Sequence, residues 1–304
     1  MYLNKELLGG ITMQQYVITT DNCSDLSESL ASKIGVGMVN LTVSINGEVY
    51  DGVEKKIDPV EVYNLMKKGV KPSTSQVNPE QAKNFFKKYL EKGLDVIHVA
   101  LSSQISGAYN SCKIAAGELA IEYPNRRIVV IDSISGSLGQ GLLVMQAAKE
   151  KAKGKSFNEV VDFIEARKNK ICHLFTVDDL IYLQRGGRIS KTEAIIGSLI
   201  GIKPILSGDS CGKLALISKV RGRKNALKAM VSKMAEIIDV SKNDVVTISH
   251  GNCLEDANFM AELIKKRFNI KNVIIDMLGP VMGSHAGPGA VAAFFVASCR
   301  LNKV

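Results

Sequence analysis

Apolar residues fall in two rhythms along this chain, one of strands and one of helices. Tyr16 to Thr20 is a β-rich run that closes on Asp21-Asn22-Cys23-Ser24-Asp25-Leu26-Ser27. That stretch offers several helix N-caps, so a short helix is expected through about Lys33. Val36 to Ile45 alternates as a strand, and the Asn46-Gly47 turn signal returns the chain through Glu48 to Tyr50 as a hairpin. Asp58-Pro59 places proline at the first position of a helix. Pro79 to Lys92 is another, with Phe85, Phe86, Tyr89 and Leu90 on one face. Asp95 to Leu101 and Arg127 to Asp132 read as strands on either side of a helix from Ala108 to Tyr123. Helices from Gly139 to Lys153 and from Phe157 to Lys168 meet at the turn Gly154-Lys155-Ser156. Strands alternating with helices in this way predict a largely parallel sheet covered by helices on both faces.

Beyond Lys170 the order changes. A strand is expected from Ile171 to Val177, a short helix from Asp178 to Leu183, and a small-residue helix from Glu193 to Ile200. Pro204 to Ser218 reads as a hairpin around Gly208-Asp209-Ser210-Cys211-Gly212. Helices from Arg223 to Asp239 and Asp256 to Phe268 then alternate with strands at Val245–Ser249, Val273–Met277 and Gly289–Ala297. A chain of 304 residues exceeds what one core ordinarily serves. The expectation is therefore an α/β protein of two domains. Residues 1–13 would be an N-terminal extension, 14–170 an α/β/α layer with a mostly parallel sheet, and 171–304 a second α/β domain with a mixed sheet.

Composition narrows the function classes. Hydrophobic residues make up 46% and charged residues 23%, as in ordinary globular proteins. No apolar run reaches the ~18 residues of a membrane span and no signal-peptide pattern opens the chain, so a cytoplasmic location is expected. The six cysteines are scattered without a C-x-x-C pair and read as reduced packing residues. The net charge of +9 is carried by lysine-rich helix faces such as Lys83, Lys87 and Lys88. No basic run is interleaved with aromatics, which argues against nucleic acid. A mild basic bias leaves room for transient membrane contact or an acidic protein partner.

Four short polar turns carry the candidate chemistry. Thr74-Ser75-Gln76 and Leu101-Ser102-Ser103 with Ser106-Gly107 supply hydroxyls and backbone N–H groups. Arg185-Gly186-Gly187-Arg188 supplies guanidinium, and Gly283-Ser284-His285-Ala286-Gly287-Pro288-Gly289 an imidazole on glycine-rich backbone. Ser102-Ser103 follows a strand at the end where open α/β sheets bind ligands, and Ser106-Gly107 opens a helix whose N-terminus suits an anion. The same residues serve equally well as a helix cap. Arginine binds carboxylate or phosphate through two parallel contacts. The four histidines show no metal-ligand spacing, so no metal and no cofactor are expected. Gly154-Lys155-Ser156 lacks the glycine and the preceding strand of a phosphate loop. Ser137 lacks the glycine two positions earlier that a hydrolase elbow requires.

Taken in order and at this spacing, the turns resemble the DegV family of bacterial fatty-acid-binding proteins. The motifs are Thr74-Ser75-Gln76, Leu101-Ser102-Ser103 with Ser106-Gly107, Gly186-Gly187-Arg188-Ile189-Ser190, and Gly279-Pro280-Val281 through His285-x-Gly287-Pro288-Gly289. The resemblance runs from about Tyr16 to the C-terminus. Two positions depart from it: Asp21-Asn22-Cys23 stands where the family usually reads Asp-Ser-Thr, and Ala108 stands where threonine is usual.

The resemblance implies a non-enzymatic carrier holding a long-chain fatty acid in a tunnel between two domains. It would present the acid to an ATP-dependent kinase subunit that forms an acyl phosphate. Thr74, Ser75, Ser102, Ser103 and Ser106 would hold the carboxylate, and Arg188 and His285 would stand at the mouth. The apolar segment around Ile195, Ile196 and Leu199 would supply tunnel wall. Arg221 and Arg223, in Lys219-Val220-Arg221-Gly222-Arg223, would dock the kinase. The alternative is a stand-alone hydrolase or phosphotransferase using Ser102 or Ser103 with His285, although no carboxylate is evident to orient that histidine.

Overall fold

The structure, a computed structural model, describes residues 15–190 and 201–300. Strand β1 (Tyr16–Asp21) is buried along its length and leads to helix α1 (Glu28–Lys33), capped by the Ser27 hydroxyl. Strand β2 (Val36–Val39) pairs parallel with β1, but the strand expected to run on to Ile45 breaks at Asn40-Leu41. The reason is local. The Asn22 side chain donates to the Leu41 carbonyl at 2.9 Å and accepts from its N–H at 3.0 Å, which withdraws Leu41 from any ladder. Strand β3 (Thr42–Ile45) therefore starts a separate sheet. It pairs antiparallel with β4 (Glu48–Tyr50) across Asn46-Gly47, whose φ values of 52° and 87° suit a two-residue hairpin turn.

Helix α2 (Pro59–Lys67) begins behind the Asp58 cap, and β5 (Ser73–Ser75) joins the other edge of β3. Thr74 thus lies in a strand, where the sequence suggested a turn. Helix α3 (Pro79–Leu90) opens on a capping box of Asn78 and Gln81. Strand β6 (Asp95–Ala100), helix α4 (Ala108–Glu122) and strand β7 (Ile128–Asp132) complete a parallel sheet of order β2-β1-β6-β7.

Helices α5 (Leu138–Ala152) and α6 (Phe157–Lys168) precede the second half. There β8 (Ile171–Thr176), α7 (Ile181–Arg185), β9 (Ile202–Gly208), β10 (Leu214–Arg221) and α8 (Arg223–Ile237) come first. They are followed by β11 (Val245–His250), α9 (Leu254–Phe268), β12 (Asn272–Met277), α10 (Pro280–Ala286) and β13 (Val291–Val296). The six strands form a mixed sheet of order β10-β9-β8-β13-β11-β12, in which β11 and β12 are parallel and the other neighbours antiparallel. The protein is a two-domain α/β fold with a parallel N-terminal sheet and a mixed C-terminal sheet. The helix expected over residues 193–200, with Ile195, Ile196 and Leu199, lies outside the described residues.

Helix α5 joins the halves. Gln140 donates to Thr20 Oγ1 at 2.9 Å and to the Val99 carbonyl at 3.1 Å on one side, and Thr247 of β11 donates to the Leu138 carbonyl at 3.2 Å on the other. Its glycines permit this double approach. A Cβ on Gly139 would fall 2.5 Å from the Phe294 ring, and one on Gly141 would fall 2.7 Å from the Ser24 carbonyl. Ile18, Leu142 and Phe294 consequently belong to one buried core that crosses the domain junction.

Candidate functional site

A cavity of about 430 Å³ lies at this junction, within the size range of small-molecule sites. Strand periodicity builds one wall. Ala292 and Phe294 lie on one face of β13, with Ala290 just before the strand, and Phe175 and His173 face the same way from β8, paired with Ala292 and Phe294. Leu101, Ile105, Leu214 and Met282 extend an apolar lining.

One end of the cavity is polar. Thr74 and Ser75 of β5, with Gln76, Ser106, Arg188 and His285, line it together, and Ser75 and Gln76 reach solvent. Thr74 Oγ1 and His285 Nε2 share a 2.8 Å hydrogen bond. His285 sits in the last turn of α10 and not in the open glycine loop that the sequence suggested. Burial, with Arg188 nearby, pushes the imidazole down to about 4, so it is neutral at pH 7. Gly186 makes its position possible, since a Cβ there would fall 2.4 Å from His285 Nδ1. Arg188 Nε donates to the Ile105 carbonyl at 2.9 Å, across the domain junction, and Nη1 donates to the Gly186 carbonyl. A guanidinium, a neutral imidazole and several hydroxyls at one end of an apolar cavity are groups that can donate hydrogen bonds to an anion there.

Ser102 and Ser103 are not among these groups. Ser102 is fully buried and its hydroxyl donates to the Gly212 carbonyl at 3.2 Å. The Ser103 N–H turns to the Asp132 carboxylate at 3.3 Å. The turn after β6 therefore uses these residues to hold itself and the β9–β10 hairpin, and of its three serines Ser106 is the one that lines the cavity. The alternative pairing of Ser102 or Ser103 with His285 is not made in this structure: the Ser102 hydroxyl turns to Gly212, and His285 Nε2 bonds Thr74. Arg223 departs from the docking expectation as well. It donates to Asp256 at 2.9 Å and to the Gly289 carbonyl at 2.6 Å, with its side chain 18% exposed. Arg221, at the end of β10, is exposed. Among the described residues no cluster of His, Cys, Asp and Glu could hold a metal ion, and no helix is long and apolar enough to cross a membrane.

The family model described as "Uncharacterised protein, DegV family" matches residues 15–298. This chain belongs to the DegV family. A DegV domain-containing protein of Clostridium perfringens is 40% identical over 95% of this chain and 99% of its own. Two solved DegV structures superpose closely. One, from Thermus thermophilus and described by its fatty acid binding, has a TM-score of 0.81 at 27% identity, covering 93% of this chain and 99% of that one. The other, DegV of Bacillus subtilis, described as a fatty acid binding protein, has a TM-score of 0.80 at 29% identity, covering 94% and 100%.

Two further clusters in this DegV chain escaped sequence reasoning. The first ties the domains together at the cavity wall, where Ser137 is one of the lining residues. Ser137 donates to Asp25 at 2.6 Å and lies 2.7 Å from the Ser249 hydroxyl, while the Gly279 N–H donates to Asp25 at 3.0 Å. Ser137 has φ 53° and ψ −150°, a conformation nearly reserved for glycine, at the turn into α5. Burial pushes Asp25 up to about 7. The only sequence signal was the Ser-Gly-Ser-Leu-Gly run that resembles a hydrolase elbow, and in this DegV fold its serine is spent on the clamp. The second cluster is His173 and Ser135, which line the inner part of the cavity. A histidine inside a strand gave no signal beyond its own rarity.

Proposed function

We propose that this chain is a fatty-acid carrier that holds a long-chain acid in the interdomain cavity, carboxylate outward, and presents it to an ATP-dependent kinase subunit for acyl-phosphate formation. The observation that carries this reading is the polar mouth of Thr74, Ser75, Ser106, Arg188 and His285 on a cavity whose length is walled by side chains such as Phe175, Ala292 and Phe294. The fatty-acid binding described for the Thermus thermophilus and Bacillus subtilis relatives supports it.

The energetics suit a carrier. About 16 buried methylenes at ~0.8 kcal/mol each contribute roughly 13 kcal/mol before losses. Immobilising the tail and losing translational freedom offset several kcal/mol of that. A hydrogen bond to a charged group contributes only about 1.5–3 kcal/mol net. The tail dominates affinity, then, and the mouth fixes which atoms face the partner. Arg188 places positive charge where an incoming phosphoryl group would meet the carboxylate, a step the kinase's own machinery performs. Of the basic segment, Lys219 and Arg221 are exposed, which leaves both free to meet a partner.

Native mass spectrometry of the protein as purified, followed by organic extraction, tests the binding step. A stoichiometric adduct in the mass range of a long-chain acid is expected. An unliganded mass that persists after incubation with a panel of fatty acids overturns it.

A further inference from the structure

We infer that the inner part of the cavity is built to receive an acyl chain bearing a hydroxyl part-way along its length, held by His173 and Ser135. This deepens the fatty-acid reading above and rests on it.

The strand register measures the distance. Ala290 donates its N–H to the carbonyl of Gly287, the residue that caps the helix carrying His285, and Phe294, four residues further along the chain in β13, pairs with His173 on β8. At about 3.3 Å per residue, His173 lies roughly 13 Å along the strand direction from Ala290, a separation that matches the middle of an extended long-chain acid whose carboxylate is at His285. An apolar wall would be expected there. Instead His173 and Ser135, respectively 6% and 2% exposed, both line the cavity, and neither His173 Nδ1 nor Ser135 Oγ has a hydrogen-bond partner. Buried polar atoms are nearly always paired, so two unpaired ones, set just behind the surface of one cavity on residues that line it, leave hydrogen-bonding capacity that a ligand group could take up. A rotation of the imidazole about Cβ–Cγ, or of the serine about Cα–Cβ, turns either toward an incoming group.

The surrounding backbone reserves space for both side chains. A Cβ on Gly208 would fall 2.6 Å from His173 Cε1, and one on Gly139 would fall 2.4 Å from Ser135 Oγ. The chemistry selects a hydroxyl over a second carboxylate. Burial, with Arg300 nearby, pushes His173 down to about 3, so its ring is neutral and offers one donor and one acceptor. A hydroxyl likewise donates and accepts. Arg300, the cation nearest this end, donates to the carbonyls of Ile134, Asp209 and Lys168 and is absent from the lining, so it offers no seat for an anion.

The test compares stearate with a stearate carrying one mid-chain hydroxyl, by titration calorimetry against the full chain. The wild-type protein is expected to bind the hydroxylated acid at least as tightly as stearate. In His173→Leu, and separately in the milder Ser135→Ala, each acid's affinity is read relative to stearate in the same variant, so a general change in the lining cancels. Affinity for the hydroxylated acid should fall, about tenfold or more in His173→Leu. If wild type and both variants discriminate against the hydroxyl by the same factor, the inference is overturned while the carrier reading stands. If wild type binds neither acid, the carrier reading itself fails and takes this one with it.

Discussion

Thr74 and His285 lie 211 positions apart in the chain and meet through a 2.8 Å hydrogen bond at the mouth of the cavity. One comes from an edge strand of the small N-terminal sheet and the other from the last turn of α10, so the contact exists only when the domains are docked. It locks the imidazole beside the hydroxyl that would receive a carboxylate.

Thr74→Ala should therefore disturb presentation more than retention. Removing one hydroxyl leaves tail burial intact, and acid affinity should fall by no more than about tenfold, or ~1.4 kcal/mol. Misplacing the carboxylate by about 1 Å should slow phosphoryl transfer on the order of a hundredfold. Calorimetric affinity set against kinase turnover at saturating acid checks this. A large affinity loss with unchanged turnover would refute it.

Ser102→Ala and Ser106→Ala should separate. The first leaves the buried Gly212 carbonyl without its donor and should destabilise the fold by about 1–3 kcal/mol, with acid affinity unchanged. The second removes a cavity-lining hydroxyl and should weaken acid binding several-fold with a smaller effect on unfolding. Urea midpoints and titrations on both variants decide the matter, and an affinity loss confined to Ser102→Ala would contradict this placement.

Arg223→Ala and Arg221→Glu should also diverge. Arg223 bridges Asp256 and the Gly289 carbonyl, so its loss should lower the melting temperature by several degrees. Arg221 is exposed, and reversing its charge should leave melting unchanged while slowing association with an acidic partner in a salt-dependent way. Equal melting temperatures for the two variants would count against the assignment.

Acid sensitivity should follow from five buried groups. Burial holds His98 and His173 at about 3 and His285 at about 4, each below the unfolded value of ~6.5. The unfolded chain takes up protons that these histidines refuse, so their contribution is complete above pH ~6.5 and is lost as pH falls toward 4. Asp21 and Asp25 act in the opposite sense. Burial raises them to about 6 and about 7, so their contribution is present below pH ~3.9 and is lost as pH rises through 6 to 7. Near pH 5 the histidines outweigh the aspartates by about one proton, and stability should rise by about 1.4 kcal/mol per pH unit before levelling near pH 7. Urea unfolding between pH 4 and 8 should show this, with a steeper rise in Asp25→Asn and a flatter one in His173→Leu. Stability that falls between pH 4 and 6 would contradict the assignment.

Much of the fold was legible locally. The Asn78–Gln81 capping box, the Asp58-Pro59 start and the Asn46-Gly47 turn each act within a few residues, so their signals survive without knowledge of the rest. The break at Leu41 was not legible, because Asn22, nineteen positions earlier, causes it. Ser102 and Ser103 misled for a related reason. A hydroxyl at a strand end is equally suited to a ligand or to a carbonyl of the same chain, and the Gly212 carbonyl, 110 positions away, takes Ser102. Arg223 is the same case: its basic segment looked free until Asp256 and Gly289 came within reach of the guanidinium.

By itself the sequence determined most of the longer helices and strands, the shift in character near residue 170 and the residue kinds that can hold an anion, since periodicity, caps and side-chain chemistry are properties of short windows. Only the tertiary structure decided which hydroxyls face the cavity, that His285 reaches Thr74, and that Asp25 and Ser137 clamp the domains. Those outcomes depend on which buried donor finds which acceptor across more than a hundred residues, a competition settled by how the sheets and α5 pack together.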